Sequence, residues 1–143
     1  MSDVNHVLVT VASWEERFSL GFERLLNEFT TSNILMYFVA EYAERTEEPR
    51  NHVIRLCKES KRQIESLELS FAAPARSWQV LYESISSGIP AGASVVVDLS
   101  TMPREVIWMV LDLLQERGAT IKYVYNPPRS YDLEWLTRDP GRP

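Results

Sequence analysis

The chain holds little of the material from which most catalytic and metal-binding motifs are made. Cysteine occurs once among 143 residues, as Cys57. That excludes an internal disulfide framework and a cysteine zinc site, and it points to a reducing compartment. The only histidines, His6 and His52, lie far apart without metal-ligand spacing, so no resident metal or other cofactor is expected. Glycine is scarce, at five residues, and no glycine-rich turn follows the first apolar run. The dinucleotide fingerprint is therefore missing, as is a GxxxxGK(S/T) phosphate loop. There is no Gly-x-Ser-x-Gly elbow, and the first strand lacks the acidic pair and terminal Asp of a receiver domain. No apolar run approaches the ~20 residues needed to span a bilayer. The opening MSDVNH has neither the charged nor the apolar region of a signal peptide. The cytoplasm is the expected location, with no membrane partner. A net charge of −5 and a pI near 5.1 exclude a broad nucleic-acid footprint.

What is present is an ordinary globular composition, 45% hydrophobic and 24% charged, in a chain long enough for one domain with a real core. Apolar runs alternate with helical periodicity. His6 to Ala12 reads as a first strand, and Phe18, Phe22, Leu25, Leu26 and Phe29 then recur at helical spacing, with Ser13 and Glu16 fitting a capping box. Thr30 to Asn33 reads as a turn before a second strand, Ile34 to Ala40. Pro49 begins or precedes a helix covering Asn51 to Ile64, on which Cys57 lies. Leu67, Leu69 and Phe71 alternate with polar residues as an edge strand. Pro74 starts a helix with Trp78, Leu81, Tyr82 and Ile85 on one face and Gly88 as its C-cap. Val95 to Asp98 is the fourth strand. Val106, Ile107, Val110, Leu111 and Leu114 mark the inner face of the next helix, which Gly118 ends, and Thr120 to Tyr125 is the fifth strand. The pattern implies a three-layer α-β-α sandwich around a mainly parallel, five-stranded Rossmann-like sheet over residues 1–126. Residues 127–143 read as a tail or linker leading into a further C-terminal domain, with apolar Trp135 and Leu136 near its end.

The stretch SVVVDLSTMPR, Ser94 to Arg104, is the one most suited to a site. Three consecutive β-branched residues stop at Asp98, where Thr101 can cap the following helix and Pro103 fits its first turn. A helix start after a central strand offers free amides and a positive dipole end to an anion. With strand order 3-2-1-4-5, the first and fourth strands are neighbours and the crevice between their ends is the switch point. Ser13, Trp14, Glu15, Glu16 and Arg17 from one loop would meet Asp98, Ser100, Thr101, Met102, Pro103 and Arg104 from the other. Glu41 and Tyr42 would form a wall. In a ligand-sensing domain, Ser100, Thr101 and the turn backbone would hold phosphate and Arg104 would neutralise it. Trp14 or Tyr125 would then stack on a base. In the enzymatic alternative, acting on a nucleotide or nucleic acid, Asp98 with Glu15 or Glu16 would act as general base, or hold a divalent ion such as Mg2+. A bare interaction scaffold, with these residues serving only as caps, is the third reading.

The segments DLSTMPRE and Gly118 to Tyr125, joined by a long helix, resemble the CARF-like nucleotide-sensor domains of prokaryotic antiviral defence systems. In that family a strand leads into a Thr/Ser-rich turn with a basic residue, then a helix and a strand bearing an aromatic. This chain departs from the pattern by carrying Met102 and Pro103 where the family has small glycines. The resemblance implies binding of a nucleotide-like messenger, a homodimer and a C-terminal effector domain under its control.

Overall fold

The three valines Val95 to Val97 cannot sit in a half-exposed strand without leaving an apolar side chain in water, so they demand cover on both faces. In the computed structural model, which describes residues 4–128, they have it. The elements run β1 (His6–Val11), α1 (Glu16–Glu28), β2 (Thr31–Val39), α2 (Ala43–Glu59), β3 (Gln63–Leu69), α3 (Pro74–Gly88), β4 (Ser94–Asp98), α4 (Arg104–Glu116) and β5 (Thr120–Val124). A short 3-10 turn, Ala40–Tyr42, leads into α2. All strands pair in parallel in the order β3-β2-β1-β4-β5. The expected Rossmann-like α/β sheet is therefore the observed one. Alternate residues feed two cores. Val9, Tyr37, Val95 and Val97 pack with Leu81, Ile85, Val110 and Leu114 beneath α3 and α4. Leu8, Met36 and Val96 pack with Phe18, Phe22, Val53 and Cys57 beneath α1 and α2. The expected tail from 129 onward, with Trp135 and Leu136, lies outside the described residues.

Several local expectations are corrected. Pro49 lies inside α2 rather than at its start. The turn around it gains side-chain bonds: Arg50 Nη2 donates to Ala43 O at 2.8 Å and its Nε to Thr46 Oγ1 at 3.1 Å. The helix ends at Glu59, not near Ile64, because Lys61 takes a left-handed φ of 59°. Arg62 N then reaches back to Cys57 O and Lys61 N to Lys58 O, a Schellman ending with lysine where glycine is usual. The third strand accordingly starts at Gln63, and Phe71 falls beyond it. Thr31 to Asn33 belong to β2, with an extra residue accommodated in a bulge opposite His6 and Val7. Trp78 and Tyr82 face solvent, while Ser77, Leu81, Ser84 and Ile85 form the buried stripe of α3. Leu113, rather than Leu111, completes that of α4. Gly88 is the last helical residue and not a left-handed cap. Gly118, at φ 67°, does end α4, with Ala119 N bonded to Leu114 O.

Candidate functional site

The crossover from β1 to β2 passes over the α1 face and that from β4 to β5 over the α4 face, so the chain leaves the two central strands in opposite directions. A cavity of about 230 Å3 opens between their C-terminal ends. Ser13, Trp14, Glu15, Arg17 and Tyr42 line it from the β1 and β2 side, and Ser100, Thr101, Met102 and Pro103 from the β4 side. They are among the residues whose convergence the sequence suggested; Glu16, Glu41, Asp98, Arg104 and Tyr125 do not line it, and Glu16 borders a neighbouring cleft instead.

Neither helix start is built as expected. Thr101 does not cap α4. Its hydroxyl donates to Val11 O at 2.8 Å, fastening the β4–α4 loop to the end of β1, and Pro103 occupies the N-cap position without a side-chain bond. Ser13 is not the N-cap residue of α1. Ser13 Oγ accepts from Glu15 N at 3.1 Å, and Glu15 is the N-cap residue of α1. Neither N-cap side chain bonds to a first-turn amide of its helix. Met102 is buried and packs into the α3/α4 core.

Asp98 is 2% exposed and lines neither this cavity nor the next. Its Oδ1 accepts from Ser100 N at 3.0 Å, folding the turn upon itself. Burial raises its pKa above the ordinary carboxylate value, partly offset by the bonds from Ser100 and the charge of Arg17. Ser100 Oγ in turn accepts from Asn126 N at 2.8 Å, tying the turn to the end of β5.

Arg17 is the cation that lines the cavity. Its Nε donates to Glu15 Oε1 at 3.1 Å, its Nη1 to Asn126 O at 3.3 Å, and its guanidinium lies 5.9 Å from the Tyr125 ring centre. Arg17 and Glu15 also border a second cleft of about 380 Å3, where Arg24 Nη1 donates to Asn126 Oδ1 at 3.2 Å. Gly21 borders it too, and a Cβ there would lie 2.8 Å from Asn126 Nδ2, so a side chain would push the Asn126 amide aside. Arg104, by contrast, stands exposed on α4 outside the cavity lining. Tyr125, 59% exposed, touches the site only through Arg17.

An aromatic row crosses the ends of β1, β2 and β3. Trp14 meets Tyr42 edge-on at 5.1 Å, and Tyr42 meets Phe71 at 6.1 Å. The Arg45 guanidinium lies 3.7 Å from the centre of the Trp14 ring. Glu41 faces away from the cavity. Its carboxylate accepts from Ser70 Oγ at 2.9 Å, Phe71 N at 3.1 Å and Ala72 N at 3.3 Å, which lowers its pKa, chiefly through the Ser70 bond. Arg45, Phe71, Arg24 and Asn126 were not singled out from the sequence. Asn126 had a readable signal, since it directly follows the fifth strand at the same sheet edge. Arg45 had none, because its partner is 31 positions away across a helix–loop junction.

Among the described residues no group of three His, Cys, Asp or Glu side chains is placed to hold a metal ion. No described helix is long and apolar enough to cross a membrane. No protein-family model matches the chain, and no curated protein matches it.

Proposed function

We propose that this domain binds a nucleotide or a similar small molecule, with a planar ring and a phosphate, in the cavity between the ends of β1 and β4. The observation that carries the reading is the pairing of unlike groups around one cavity. Trp14 and Tyr42 bring aromatic rings to its lining. Ser13 and Arg17 beside them, with the start of α4 across the cavity, bring hydrogen-bond donors and positive charge. At about 230 Å3 the cavity is smaller than most ligand pockets, so a nucleotide enters it partly and displaces what now covers the walls. The base takes the place of the Arg45 guanidinium on Trp14, and the phosphate competes with the Glu15 carboxylate for Arg17. In keeping with the CARF-like resemblance, occupancy is passed to an attached effector in a defence-type system, and the domain works as a homodimer.

The enzymatic alternative has less support from the geometry. Asp98 is sealed from the cavity and committed to Ser100 N, and Glu15 is committed to Arg17. Calorimetric titration with mono-, di- and cyclic oligonucleotides tests the reading. Trp14→Ala weakens the bound nucleotide by about 1–3 kcal/mol, the usual worth of a base–aromatic stack. Arg17→Ala costs about 1.5–3 kcal/mol, as for a charge-assisted bond. The proposal fails if no nucleotide binds, or if both variants keep full affinity and an unchanged melting temperature.

A further inference from the structure

The outermost row of α4 reads Arg104, Trp108, Asp112, at i, i+4 and i+8 along one face. It lies opposite the buried residues Val106, Val110, Leu113 and Leu114 and so points away from the sheet. Trp108 is 69% exposed, more than any other large apolar side chain among the described residues. Arg104 and Asp112 are both exposed, and neither has a hydrogen bond or ion pair among the described residues. Beside this row, α3 packs on the same face of the sheet and leaves Trp78 and Tyr82, one turn apart, at 37% and 51% exposed. The four-residue row is also one of the ridges by which helices pack against each other.

The order of charges names the partner. The row carries a cation at one end, an indole at its centre and an anion at the other, four residues either side. We infer that this face binds a second copy of the same chain, with α4 antiparallel to the partner's α4 and the two-fold axis passing beside Trp108. Position 108 − k then faces position 108 + k. Arg104 meets the partner's Asp112, Asp112 meets the partner's Arg104, and the two indoles cover each other. A two-fold axis of this kind keeps α3 on the same side in both copies, so the outer face of α3, with Trp78 and Tyr82, meets the partner's α3. The pairing satisfies both lone charges and removes several exposed aromatics from water. It also sets the partner's carboxylate against the positive N-terminal end of α4, where Arg104 alone is unfavourable. A different protein would need an unrelated complementary pattern, whereas this one complements itself. The inference does not depend on ligand binding at the sheet edge.

Light scattering and sedimentation of the full chain without ligand, over a concentration series, test it. The wild type is expected to dimerise. Arg104→Asp and Asp112→Arg each place two like-charged pairs in the interface and weaken self-association at least tenfold. Both side chains are exposed, so the melting temperature of the monomer stays near that of the wild type. Mixed in equal amounts, the two variants restore the dimer as a heterodimer, because every facing pair is again opposite in sign. Trp108→Lys abolishes association in either background. A monomeric wild type overturns the inference, as do charge variants that self-associate normally. Variants that are monomeric alone and stay monomeric when mixed overturn the antiparallel register.

Discussion

Replacement of Asp98 separates a carboxylate that builds the turn from one poised for chemistry. The side chain is buried, and its Oδ1 satisfies the Ser100 amide at 3.0 Å. Asp98→Ala leaves that buried N–H without a partner, at a cost of about 1–3 kcal/mol. For a domain of this size each kcal/mol lowers the melting temperature by about 4 °C. Asp98→Asn keeps an oxygen for the amide and removes the buried charge. The sign of its pH dependence follows from burial, which raises the Asp98 pKa above the ordinary carboxylate value. The folded protein therefore holds this proton more tightly than the unfolded chain does. Stability from this group is complete below the ordinary carboxylate range and declines as pH rises through the raised folded value. Asp98→Asn has no such decline, so its denaturation curve matches the wild type in acid and lies at higher stability near neutrality. Chemical denaturation at a series of pH values measures this directly. An Asp98→Asn variant as damaged as Asp98→Ala at neutral pH refutes the reasoning, since the carboxylate would then be stabilised in its charged form.

Glu41 shows the opposite dependence: its pKa is lowered by Ser70 and by the Phe71 and Ala72 amides. Glu41→Ala is expected to speed hydrogen exchange at Phe71 and Ala72 above the ordinary carboxylate range, with the difference vanishing as acid protonates the wild type. Exchange rates that differ equally at all pH values contradict this. Cys57 is fully buried, and desolvation pushes its thiol up to about 11. A disulfide reagent at mildly alkaline pH should react with it only as fast as the α2 region opens, and at once in denaturant. Rapid reaction of the native protein would show that α2 does not seal the core.

The sheet was legible because its signals are dense. The valines of β1 and β4 and the apolar run from Ile34 to Val39 admit few alternatives to central parallel strands. Element ends were legible only where their chemistry is usual. Gly118 marked the end of α4, but Lys61 performs the same left-handed turn with a side chain that gives no warning. Pro49 suggested a helix start and lies within one, in a turn to which Arg50 adds bonds with Ala43 O and Thr46 Oγ1 that local sequence rules do not anticipate. At the site, the convergence of the β1 and β4 loops followed from topology alone. The roles within it did not. Thr101 binds across to β1 instead of capping, Glu41 serves the β3–α3 loop, and Arg104 faces outward, since each choice depends on a partner distant in sequence.

The central claim, that the crevice between β1 and β4 is where a ligand binds, is tested most directly by mapping amide chemical shifts during nucleotide titration. The account predicts saturable shifts confined to Ser13–Arg17, Tyr42–Arg45 and Ser100–Glu105, with the Trp14 indole N–H among the largest. Shifts centred on the outer faces of α3 and α4, or none at any ligand concentration, would contradict it.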